Sequence, residues 1–72
     1  MELHIIGLTQ ETTLICKSIM VRALDHYILI KFDNDNEARD AEDYIKKMGG
    51  KTKHRDKTIC LTNPEDFTIE IL

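Results

Sequence analysis

The chain has 72 residues, 13 of them acidic and 10 basic, for a net charge of −3, with two cysteines and three histidines. A chain of this length folds as one domain that covers only about 60% of the surface its unfolded form exposes, so residues 1–72 are expected to make a single unit of modest stability. Two cysteines within apolar runs are too few for a disulfide framework. No stretch approaches the roughly 20 apolar residues of a membrane span, and Met1-Glu2-Leu3-His4 lacks the basic flank of a signal peptide. A reducing cytoplasm with no membrane contact is the expectation.

In chain order, Leu3, Ile5 and Ile6 form a short β-branched strand that stops at Gly7. From about Gln10 to Leu24, Ile15, Cys16, Ile19, Met20, Ala23 and Leu24 recur at helical spacing, with Thr9 as N-cap and Glu11 and Thr12 in the first turn. This predicts a first helix. Tyr27 to Phe32 is a nearly continuous apolar run, as in a central strand. It ends at Asp33-Asn34-Asp35-Asn36, residues that favour turns and caps. A second helix follows: Ala38, Ala41, Tyr44, Ile45 and Met48 share one stripe, acids fill the first turns, Lys46 and Lys47 the last, and Gly49-Gly50 mark the stop. Beyond a basic connection, Thr58–Leu61 and Phe67–Ile71 read as strands joined in a hairpin at Asn63-Pro64-Glu65-Asp66. The expected fold is therefore α+β, a two-layer sandwich in β-α-β-α-β-β order with two helices on one face of a four-stranded mixed sheet.

Short matches run along this order: Gly7-Leu8 before the first helix, Phe32-Asp33-Asn34 after the second strand, Arg39-Asp40 within the second helix and Met48-Gly49 at its end. With the element order, they make the chain resemble the TusA/SirA-like sulfur-carrier family over nearly its whole length. The resemblance implies a TusA-like domain over residues 1–72. That family's chemistry rests on a Cys-Pro-x-Pro motif after Gly-Leu-x, where free N–H groups and the helix dipole stabilise a thiolate. Here the corresponding residues are Gln10-Glu11-Thr12-Thr13, and an amide cannot hold a persulfide. Cys16, two turns into the predicted helix on its apolar face, and Cys60, inside a strand, read as buried packing residues.

Nothing else in the sequence points to catalysis. His4, His26 and His54 stand singly, without paired spacing for a metal, and there is no phosphate-binding glycine loop or nucleophile elbow. No catalytic residue, metal or cofactor is expected, and the chain is read as a non-enzymatic binding protein.

Charge is segregated along the chain. Asp33, Asp35, Glu37, Asp40, Glu42 and Asp43 are opposed only by Arg39, whereas Lys46, Lys47, Lys51, Lys53, Arg55 and Lys57 face Asp56 alone. One or two acids satisfy a helix N-terminus; six crowded together repel one another, and a basic partner relieves that repulsion. The six carboxylates are thus the candidate partner-binding face, standing in for phosphates in a site built for DNA. The size, charge pattern and missing active site resemble the phage-encoded DNA-mimic inhibitors of the nucleoid protein HU, which implies a basic, HU-like partner and a role in host takeover. The segment Lys51–Lys57 lacks aromatics for base stacking and reads as a solvated edge strand or loop, so direct nucleic-acid binding is not expected. On the first predicted helix, Leu14 and Val21 fall on the side of Lys17, Ser18 and Arg22, away from the core, where they would serve a homodimer or partner contact. The alternative function is a divergent sulfur-relay protein or scaffold of the TusA-like family.

Overall fold

A computed structural model describes residues 1–72 and arranges them as seven strands and one α-helix. Strands β1 (Glu2–Ile6), β2 (Glu11–Ile15), β3 (Ile19–Ala23) and β4 (Ile28–Phe32) precede helix α1 (Asp35–Lys47). Then come β5 (Thr52–Arg55), β6 (Thr58–Leu61), a 3-10 turn at Pro64–Asp66, and β7 (Thr68–Ile71). They form two antiparallel sheets, one ordered β2-β1-β7 and the other β3-β4-β6-β5. The class is α+β, as expected. The β-α-β-α-β-β order and the two helices over a single mixed sheet are not what the chain adopts.

The difference centres on residues 10–24, where β2 and β3 replace the expected first helix. Two alternating strands read in succession account for the misleading period. Thr12, Leu14 and Cys16 turn inward along β2 and just past it, and Ile19 and Val21 turn inward along β3. The Lys17-Ser18 link shifts the alternation by one, so Cys16 and Ile19 lie three apart, the spacing of a helix face. The segment's β-branched residues, Thr12, Thr13, Ile15, Ile19 and Val21, favour extended backbone over helix. Members of the expected apolar stripe consequently stand outside: Ile15 is 82% and Met20 66% exposed. Leu14 and Val21, expected outside, pack half-buried against the core. Gly7 N–H donates to the Gln10 carbonyl at 2.8 Å to close the β1–β2 turn, and Cys16 N–H reaches the Met1 carbonyl at 2.9 Å to extend the ladder.

Helix α1 forms where its stripe and its ends agree. The Asn34 side-chain oxygen accepts the Glu37 N–H at 2.9 Å, an N-cap. At the other end Gly49 adopts φ +91°, Gly49 N–H reaches the Lys46 carbonyl at 3.1 Å and Gly50 N–H the Ile45 carbonyl at 2.8 Å, the paired bonds of a Schellman stop. Ala38, Ala41 and Ile45 are buried, facing β4, β5 and β6. The Asn63 amide then ties this end to the last crossover, accepting the Lys51 N–H at 2.8 Å and donating to the Gly49 carbonyl at 3.2 Å. The expected hairpin at residues 63–66 is not formed: the 3-10 turn carries the chain from β6 in the four-stranded sheet to β7 in the three-stranded one, where it pairs with β1.

One cluster of 12 buried residues joins both sheets and the helix. Leu3 and Ile5 from β1, Ile30 from β4, Ile45 from α1, and Ile59 and Leu61 from β6 are fully enclosed. Each contributes roughly 1.5–3 kcal/mol by leaving water. No helix is long and apolar enough to cross a membrane.

Candidate binding surfaces

The six carboxylates of residues 33–43 divide into two groups. Glu37 and Glu42 are absorbed by the fold. Glu37 Oε2 accepts the Lys17 N–H at 3.1 Å, pinning the β2–β3 link to α1, while its Oε1 is buried without a partner. Glu42 Oε2 accepts the Thr52 hydroxyl at 2.9 Å and lies 3.7 Å from Lys46 Nζ, and its Oε1 lies 3.5 Å from His54 Nδ1. Asp33, Asp35, Asp40 and Asp43 remain exposed. Of these, only Asp35 has a basic side chain within 4 Å, the His54 imidazole with Nε2 at 3.8 Å, and Arg39 is the exposed base among them. The outer surface of the capped, anchored helix α1 therefore offers three carboxylates, Asp35, Asp40 and Asp43, with Asp33 just before its cap.

Sequence reasoning missed His54. Strand alternation along β5 turns Thr52 and His54 toward α1 and Lys53 and Arg55 away, so the histidine lands beside Glu42 and Asp35 and also contacts the Asp56 carbonyl. The signal was present in that alternation, but the second helix had first to be placed over the strand. The cluster joins helix and strand, with Glu42 meeting both the Thr52 hydroxyl and the His54 ring. No three His, Cys, Asp or Glu side chains converge in metal-binding geometry.

Gln10 lies exposed in the turn between β1 and β2, with a strand after it instead of a helix, so its surroundings include no helix N-terminus. Cys16 is buried at the end of β2. Burial pushes its thiol above the ordinary value of 9.0; Glu37 and Asp40 push the same way, and the N-terminal ammonium opposes them. A thiol so placed is a poor nucleophile. Cys60 is a free, half-buried thiol on β6. Leu14 and Val21, on β2 and β3, line the core instead of forming one exposed stripe.

The chain matches no family model, no curated protein and no solved structure.

Proposed function

We propose that this chain is a non-enzymatic binding domain whose acidic helix surface engages a basic surface on another protein, as a DNA mimic occupying the DNA-binding site of an HU-like nucleoid protein. The observation that carries the reading is the exposure of Asp33, Asp35, Asp40 and Asp43 on and just before α1, three of them without any cation within ion-pair distance. Uncompensated carboxylates on a rigid helix repel one another, and a partner whose groove neutralises one charge per roughly 1.7 Å of duplex axis relieves that repulsion. Glu37 and Glu42, spent on internal bonds, leave the contact to these four. Asp40 and Asp43 lie one turn apart.

The test uses purified HU-like protein and a labelled duplex. The chain is expected to bind it, to displace the duplex, and to release as salt rises. Charge reversal at both sites, Asp40→Lys with Asp43→Lys, is expected to weaken binding by about tenfold or more while circular dichroism stays unchanged. Failure to displace the duplex, or undiminished binding by the reversed variant, overturns the assignment.

A further inference from the structure

The ladder register defines a second surface, on the side of the four-stranded sheet that faces away from α1. Two rows of outward residues cross all four strands: Met20–Lys31–Thr58–Arg55 and Arg22–Leu29–Cys60–Lys53. Four of these eight side chains are cationic and none is acidic. Arg22, Lys31, Lys53 and Arg55 are exposed: Arg22 and Lys31 flank Met20, which is 66% exposed, at the β3 side, Lys53 and Arg55 lie on β5, and the half-buried Leu29 and Cys60 lie between. Each row spans about 14 Å, from three interstrand steps of about 4.8 Å. Two shallow hollows share Leu29 and Thr58 as a common ridge, one reaching Met20 and Arg22, the other Lys53 and Arg55. Asp56, in the β5–β6 turn, is the anion at the rim. None of the four cations enters an ion pair.

We infer that this face is a docking site for an acidic amphipathic helix of a protein partner, with carboxylates meeting Arg22, Lys31, Lys53 and Arg55 and apolar side chains meeting Met20, Leu29 and Cys60. Charge complementarity selects an anionic occupant, because four unpaired cations on a flat face repel one another until an anion covers them. The apolar centre selects protein over nucleic acid. Neither row contains an aromatic on which a base would stack, and a phosphate backbone brings nothing apolar to cover Met20 and Leu29. A helix presenting leucines at i, i+3 and i+7 with glutamates on either side supplies both components. The inference is independent of the acidic surface of α1, which lies across the sheet.

The probe is a fluorescent helical peptide of about 18 residues carrying that Leu and Glu pattern. Controls are the same peptide with Gln for every Glu, and a single-stranded oligonucleotide of equal length. Fluorescence anisotropy is expected to show saturable binding of the Glu peptide. The Gln peptide, and the Glu peptide at about 0.5 M salt, should each bind on the order of tenfold more weakly. Lys53→Glu combined with Arg55→Glu, both exposed and without ion-pair partners, should cost about tenfold in peptide affinity, as should Leu29→Gln. Asp40→Lys with Asp43→Lys should leave peptide affinity unchanged, so that this site and the acidic one fail or stand separately. No binding of the Glu peptide, equal binding by the Lys53/Arg55 variant, tighter binding of the oligonucleotide, or salt-sensitive self-association that excludes the peptide would each overturn the inference.

Discussion

Helix α1 and strand β5 are packed neighbours; the acidic run lies on and just before α1, and Lys53 and Arg55 of the basic run lie on β5. The pairing that proximity suggests is nonetheless sparse. Where the two elements meet, Glu42, Thr52 and His54 form a small polar joint, with Asp35 at its edge. The remaining charges are kept apart by geometry: a helix sends Asp40 and Asp43 away from its buried stripe, and a pleated strand sends Lys53 and Arg55 through to the far side of the sheet. Adjacent elements of opposite charge therefore produce two separate surfaces of opposite sign, with an apolar layer between them.

The contrast predicts a large difference between residues on the shared side and residues beyond it. Ile45, fully enclosed beneath α1, anchors the helix to the sheet. Ile45→Ala is expected to remove about 2–5 kcal/mol in urea denaturation, enough to release the helix from a domain of this size. A loss below about 1 kcal/mol would mean that α1 is not held by this contact.

A smaller effect separates the two sides of β5. Glu42→Ala strips the acceptor from the Thr52 hydroxyl and the neighbour from His54, and should cost about 1–2 kcal/mol. Lys53→Ala, one residue along the same strand but pointing outward and unpaired, should change stability by about 0.5 kcal/mol or less. Equal losses for the two would erase the distinction between joint and surface.

The least perturbing probe leaves the sequence intact and uses its two thiols. Alkylation at about pH 8 should modify the half-buried Cys60 first, with Cys16 lagging on the order of tenfold or more. Because the folded state holds the Cys16 pKa above 9.0, the stability linked to its protonation is present below that value and is lost as pH rises through the raised one. A denaturation midpoint that falls as pH rises above 9.0, and falls less in Cys16→Ala, would match; an equal fall in the variant would contradict the burial of the thiol.

Legibility in the sequence followed how many independent signals agreed. For α1, the stripe, the cap-favouring run Asp33–Asn36, the acidic start, the basic end and the Gly49-Gly50 stop all point one way, and the helix forms where they say. The strands near Leu3, Ile30, Ile59 and Ile69 were readable from apolar and β-branched runs. Residues 10–24 carried helical spacing and a helix-like start at Thr9, Glu11 and Thr12, against the contrary preference of Thr12, Thr13, Ile15, Ile19 and Val21. The phase slip at Lys17-Ser18 made that spacing misleading. The candidate site was half legible: all six acids were identifiable, but the internal use of Glu37 and Glu42 by Lys17 and Thr52 joins residues 20 and 10 positions apart, which no local pattern reports.

What the sequence determined by itself was the α+β class, the place and ends of α1, and the existence of two opposed charge runs. Tertiary structure decided that residues 10–24 pair as strands, that β6 and β7 part into different sheets, and which charges are spent inside. The physical reason is that helix ends and stripes are settled by neighbours within a turn. Strand pairing and side-chain partners are settled by contacts distant in sequence, such as Leu3 against Leu14 and Ile71, that exist only after the chain has folded back on itself.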